Sequence, residues 1–392
     1  MNDHKYNMKN LLNYEDYIME SNSLFLMDNE TKNTLLKLDE KYHKLIEKFR
    51  TRYVAQTVNN IKEEFDKFMA AHKLGQKYYP QLEIDNSESD MKMYDDFDKL
   101  YGEFNDIKDK CYVAKFYLEK IHSMKNSLEE RHKLETGEYK PGKNPVDKEL
   151  YQEALEVIKK NPYKKPDFKN ERNKDSEECL EAIEDALDEL GYDFDVEIDT
   201  GMLPRMNVKM GKVNVNKKSR FSEEDIEGLI AHEIKGHVGR RFYGKETGLW
   251  LFAYGLQSSS TYDEGLAVWN SLNKVKHKKD NIMFNIAMKT CVSYLMFEMD
   301  FCDMFDWIKK KAPGMTDYTA FKTIVRPRRR NKDCEIRSGE VMKSYYVGWK
   351  MVNDMDNKMR DDILKYNIGP DQIFELDNIK EFLKVNKFKS LN

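Results

Sequence analysis

Across residues 30–72 apolar side chains recur at spacings of three and four: Leu35, Leu38, Tyr42, Leu45, Ile46, Phe49 and Tyr53, then Val58, Ile61, Phe65 and Phe68. That period lines one face of an α-helix and predicts long amphipathic helices. A second stripe runs through Phe97, Leu100, Tyr101, Phe104, Ile107, Cys111, Phe116, Leu118, Ile121 and Met124. Neither stripe keeps a strict seven-residue register, so the first third is expected to pack as a bundle and not to run as a coiled coil. Gly and Pro cluster in residues 136–147, TGEYKPGKNPVD. The expected division is an N-terminal helical region over 1–140 and a second unit over 141–392. Helices are expected over 149–160 and 176–190, the latter closed by Gly191 in a left-handed conformation. Phe194, Val196 and Ile198 alternate with polar residues, as do Val213 and Val215, and both stretches read as short strands. Helical spacing returns from Phe221 onward, with loops at 311–316 and 326–333. The expected fold class is α+β, predominantly helical, with a small sheet.

Composition narrows the options. With 66 Lys+Arg against 70 Asp+Glu and a net charge of -4 over 392 residues, no nucleic-acid partner is indicated. The most apolar stretches, 248–256 and 292–297, are far shorter than the roughly 20 residues that cross a bilayer, so no membrane partner is expected. The N-terminus MNDHKYNMKNLLNYED has acids and amides where a signal peptide needs an apolar run, which points to the cytoplasm. Cys111, Cys179, Cys291, Cys302 and Cys334 form an odd set without a CxxC pair, and reduced thiols are expected.

The sharpest chemical signal is His232-Glu233-Ile234-Lys235-Gly236-His237. Chance produces a His-Glu with a second His at one fixed offset on the order of 0.01 times in a chain this poor in histidine. The surrounding helix is well specified, with Ser222 capping against Asp225 and Phe221 meeting Ile226 as a hydrophobic staple. Histidines five apart, however, stand about 140° apart on an ideal α-helix, too wide for one zinc at about 2.0–2.1 Å. A π-bulge at Lys235-Gly236 is therefore expected, since it absorbs one residue and Gly236 tolerates the distortion.

A catalytic zinc takes three protein ligands. Downstream, Thr261-Tyr262-Asp263-Glu264-Gly265-Leu266-Ala267 offers Glu264 as the third, with Gly265 and Ala267 allowing the two helices to approach. Glu264 could instead complete a capping box with Thr261, in which case Asp263 is the substitute ligand, or a helix-start acid favoured by the dipole. In the zinc arrangement Glu233 takes the proton from the attacking water and passes it to the leaving amine.

HEIKGH followed by STYDEGLA resembles the zinc peptidases of the microtubule-associated tyrosine carboxypeptidase family and their bacterial relatives with a QEGLA motif, Asp263 standing where those have Gln. The likeness runs over roughly 213–267, more weakly to Gly348, and the first 140 residues show none. It implies a zincin-like core, zinc held by His232, His237 and Glu264, Glu233 as catalytic base, and removal of a C-terminal residue from a peptide or protein. In the characterised eukaryotic members that residue is the tyrosine of tubulin, and no long basic tail that would bind a microtubule flanks the motifs here. HEIKGH is also similar to the HELLGH of dipeptidyl peptidase III, but Glu177-Glu178-Cys179-Leu180-Glu181-Ala182 precedes the histidines, in the wrong order for that family's EECRAE.

Peptidases of this kind hold substrate as an added strand on a sheet edge, for which Val213-Asn214-Val215 is the candidate, with Asn214 as a contact. A terminal carboxylate calls for Arg, either from Arg326, Arg328, Arg329 and Arg330, with Arg329 preferred, or from Arg240 and Arg241. Tyr345, by its offset from Gly348, fits the donor to a developing oxyanion better than Tyr346 does. The competing expectation is a zinc-binding regulatory or interaction protein with little hydrolytic activity, working through its long helices.

Overall fold

A computed structural model describes residues 25–51, 58–84, 90–140, 142–165, 172–200, 202, 204–209, 211–328, 332–335 and 342–391. The chain is predominantly helical with one three-stranded sheet. The first stripe becomes α1 (Asn29–Phe49) and α2 (Ile61–Lys73), and the second becomes α3 (Met91–Asn105) and α4 (Ala114–Thr136). Next come α5 (Lys148–Lys160) and α6 (Ser176–Leu190), the latter ended by Gly191 at φ 67°. The strands are β1 (Asp195–Asp199), β2 (Met206–Lys209) and β3 (Lys212–Asn216).

Helix α7 (Glu223–Leu229) starts at a capping box in which Ser222 Oγ accepts from the Asp225 amide and the Asp225 carboxylate accepts from that of Ser222. It continues without a break into a π-helix (Ile230–Val238) and then α8 (Gly239–Glu246). Then follow α9 (Trp250–Tyr254), α10 (Ser259–Lys274), α11 (Lys279–Glu298), α12 (Phe301–Lys311), α13 (Asp317–Arg328), α14 (Ser344–Asn353), α15 (Asn357–Tyr366) and α16 (Leu376–Asn386). No helix among the described residues is long and apolar enough to cross a membrane.

The buried stripes find partners far along the chain. Leu35 and Tyr42 of α1, with Phe97 and Phe104 of α3, share one apolar cluster with Leu249, Phe252, Ile363 and Phe382. Phe68 of α2 belongs to another, with Phe301, Phe305 and Phe321. Apolar packing thus runs continuously across residue 140. A third cluster joins Ile183 and Leu187 of α6 and Val213 and Val215 of β3 to Phe221, Ile226, Ile234 and Val238, which seats the π-helix on the sheet.

The sheet order is β1-β3-β2, with β1 parallel and β2 antiparallel to β3. This corrects the expectation of a free edge at Val213-Asn214-Val215. That strand is central, its backbone is paired on both sides, and Asn214 is buried with its Nδ2 donating to Asn207 Oδ1 at 3.1 Å. The edge on this side is β2.

Two backbone contacts fix α10. A Cβ on Gly265 would lie 2.3 Å from the Gly348 carbonyl, and one on Gly348 would lie 1.9 Å from the Thr261 oxygen. Gly265 therefore serves the crossing with α14, while Ala267 meets Gly236 of the π-helix, where a Cβ would be 2.9 Å away. Because both obstacles at Gly348 are backbone, Gly348→Ala is expected to destabilise the protein by about 3 kcal/mol, read as a fall in the midpoint of chemical unfolding.

Asp225 gathers Arg172 at 3.1 Å, Arg205 at 2.9 Å and Lys278 at 2.8 Å while itself 5% exposed. Burial alone would raise its pKa, but Arg205, Lys278 and Arg172 hold it well below the usual carboxylate range. A carboxyl depressed by folding contributes stability above its unfolded pKa, near 4, and loses it as pH falls further. Asp225→Asn should cost about 3 kcal/mol at neutral pH by leaving the three cations without their anion. Thermal melts from pH 7 down to pH 2 should also show a shallower acid limb in the variant.

A metal-competent centre in a cationic cleft

The π-helix resolves the spacing problem. With five residues per hydrogen-bonded loop, His232 and His237 return to one face, and their rings lie 5.2 Å apart at 80°. Gly236, against Ala267 of α10, lets that helix approach and bring Glu264 alongside. The Glu264 Oε2 atom is 3.8 Å from His232 Nε2 and 4.0 Å from His237 Nε2. Two atoms held at 2.0–2.1 Å from one ion can be up to about 4.2 Å apart, so these separations suit a shared metal.

That Oε2 atom is buried and has no hydrogen-bond partner. A buried anion left unpaired is costly unless a cation meets it. Two imidazoles and a carboxylate form the donor set a catalytic zinc takes, and His232, His237 and Glu264 are the group among the described residues able to hold a metal. Glu264 sits in the second turn of α10, and no side-chain cap forms at that helix start, which removes the capping-box alternative.

Asp263 has a different part from either one the sequence suggested. Its Oδ2 is 2.9 Å from His237 Nδ1, and its Oδ1 is 3.7 Å from Arg240 Nε. Burial disfavours the ionised pair, yet the mutual attraction prevails, raising the His237 pKa and lowering that of Asp263. A proton kept on Nδ1 leaves Nε2 to face the ligand position, the usual carboxylate–histidine arrangement around a metal. Burial, His237 and Lys289 hold His232 well below the ordinary histidine pKa, so it is neutral, as a ligand must be. Its Nδ1 faces Ser271 Oγ at 3.4 Å.

Glu233 is buried beside this group, and burial pushes its carboxyl up to about 7. All four residues open onto a cleft of about 1630 Å³ that is also lined by Met206, Asn207 and Val208 of β2. Tyr345 lines the cleft too, its oxygen accepting from Arg326 Nη2 at 3.2 Å and its ring under Lys289 Nζ, 3.0 Å from the centroid. Tyr346 turns away, buried and bonded to Glu153. Arg329 lies outside the described residues. Arg328 is buried against Met304 and the Ile324 carbonyl, away from the cleft.

Sequence reasoning missed Lys289 and the partnership of Asp263 with His237. The signal for the latter was present: a carboxylate directly before the candidate third ligand Glu264, one helical residue away from the face that meets the π-helix.

No individual curated protein matches the chain. The model of the microtubule-associated tyrosine carboxypeptidase family does match, over residues 66–329. That span holds Glu233 and the three grouped residues able to hold a metal, and it begins well before the stretch in which the motif likeness was visible. As it covers well over half of the 392 residues, the chain belongs to the microtubule-associated tyrosine carboxypeptidase family.

Proposed function

We propose that this protein is a zinc-dependent carboxypeptidase with a zincin-like core, which removes a C-terminal residue from a peptide or protein at the His232, His237 and Glu264 centre. Membership of the family carries carboxypeptidase-type activity and a peptide or protein substrate. The observation that carries the zinc reading is the buried, partnerless Glu264 oxygen within 4.0 Å of both histidine Nε2 atoms. Zinc bound there would act as a Lewis acid on the scissile carbonyl and on the attacking water.

The chain's own residues supply the rest. Glu233, buried and with its pKa raised toward neutrality, accepts the proton of the attacking water and then gives it to the leaving amine. Asp263 fixes the tautomer of His237. Tyr345, polarised by the Arg326 guanidinium, donates to the oxyanion of the tetrahedral intermediate. The β2 edge, with Met206, Asn207 and Val208 on the cleft, offers backbone groups to an extended peptide, the role first sought at Asn214. The five unpaired cysteines agree with a reducing, cytoplasmic setting.

The test is mass spectrometry of peptides incubated with the purified chain. Loss of single C-terminal residues that stops on chelation and returns with zinc is the expected result. Internal cleavage, or hydrolysis indifferent to chelator, would reject the reading.

A further inference from the structure

One end of the cleft holds more positive charge than its acids can balance. Arg50, at the C-terminus of α1, and Lys120, on α4, line it together with Arg240 and Arg241. The acids at that end are Glu47 and Asp263. Arg241 Nη2 and the Tyr254 hydroxyl both donate to Glu47 Oε1, at 3.2 and 2.5 Å, and Asp263 is held by His237. Arg50 and Lys120 form no ion pair among the described residues. Lys120 Nζ donates only to the Leu256 carbonyl, at 3.3 Å.

Two neutral-site observations point the same way. Arg240 is 1% exposed, with Nε on Asn367 Oδ1 at 3.0 Å and Nη2 on the Ile368 carbonyl at 2.8 Å, yet its buried Nη1 has no partner. Ser258, which also lines the cleft, has a buried hydroxyl without a partner and sits at φ 60°, a conformation that costs a non-glycine residue about 1 kcal/mol. The Leu256 carbonyl that binds Lys120 and the Asn367 side chain that binds Arg240 are linked, because the Leu256 amide donates to the Asn367 carbonyl at 3.1 Å. These donors therefore share one wall. They surround Asp263, whose charge acts on Arg50, Lys120 and Arg240 alike. Desolvation and the neighbouring Arg50 lower the half-buried Lys120 ammonium to about 8, as befits a cation without an ion-pair partner among the described residues.

We propose that Arg50 and Lys120, with Arg240 Nη1 and Ser258 Oγ, form the subsite that receives the substrate's terminal carboxylate. The assignment rests on the carboxypeptidase reading above. It gives the N-terminal helices a direct part in recognition, and Arg50 lies outside the residues that match the family model. A planar carboxylate offers two acceptor oxygens, which suits a guanidinium fork on one side and an ammonium with a hydroxyl on the other. In this arrangement the excess charge selects free C-termini and rejects amidated ones.

The experiment measures calorimetric binding of one peptide, as free acid and as C-terminal amide, to the zinc-loaded full chain carrying Glu233→Gln. Hydrolysis of both peptides by the chain with Glu233 intact is followed in parallel. The free acid should bind more tightly by about 30-fold or more, the scale of a buried charge pair. Adding Arg50→Gln or Lys120→Gln should collapse that ratio toward one by weakening the acid alone, and Lys120→Arg should restore part of it. An acid-to-amide ratio unchanged in both Gln variants overturns the assignment, even if hydrolysis proceeds from the C-terminus. A ratio that collapses in them upholds the subsite, even if hydrolysis proves not to be that of a carboxypeptidase.

Discussion

Glu233→Gln is expected to keep its metal and lose hydrolysis by about 10²- to 10⁴-fold in kcat, the range a positioned general base supplies. The substitution preserves shape in a buried position while removing the group that can take a proton. Metal content measured beside peptide hydrolysis separates this outcome from collapse of the site. A variant with full metal and full activity would assign the base to another residue.

Glu264→Ala and His237→Ala should each abolish metal binding, taking one zinc per chain to near none and hydrolysis to background. Each removes one of the three candidate ligands and leaves a half-buried pair that cannot hold the ion alone. The loss should exceed the 10- to 100-fold weakening expected of Asp263→Ala, which removes only the partner that orients His237. Zinc titration against a competing chelator orders the three variants. Equal affinity in Glu264→Ala and the unsubstituted chain would move the third ligand elsewhere.

Much of this site was legible because geometry forbade the alternatives. Histidines five apart have no common face on an α-helix, so a π-distortion follows from requiring that both reach one ion; it is expected as one bulge at Lys235-Gly236, and the structure spreads it over Ile230–Val238. The Ser222 cap and the Gly191 stop are equally local and were equally readable. Strand order was not. The short Met206-Asn207-Val208-Lys209 segment has no strong strand pattern, and without it Val213-Asn214-Val215 looked like an edge when it is the middle of the sheet. The same limit governs the helices: the stripe on α1 and α2 states that a face is buried, but only the fold says that Tyr42 meets Tyr117 and Tyr254 while Phe68 meets Phe301 and Phe321. Gly265 likewise announced a close helix approach without naming Gly348 as the neighbour. Local chemistry is written in adjacent residues, whereas pairing partners are chosen by the whole chain.

The π-helix also acts downstream of the two histidines. Each residue of an α-helix advances by about 100° around the axis, so accommodating one extra residue rotates everything after it by about that angle relative to a straight continuation. Arg240 and Arg241, which follow directly in α8, are therefore aimed by the same insertion that aligns His232 with His237. Wound as a straight α-helix, the same five-residue spacing would part the imidazoles and, in the same rotation, swing Arg240 off Asn367 and Ile368. The five-residue spacing works as a phase setting: it directs two imidazoles and two guanidiniums, on successive turns of one helix, into a single cleft.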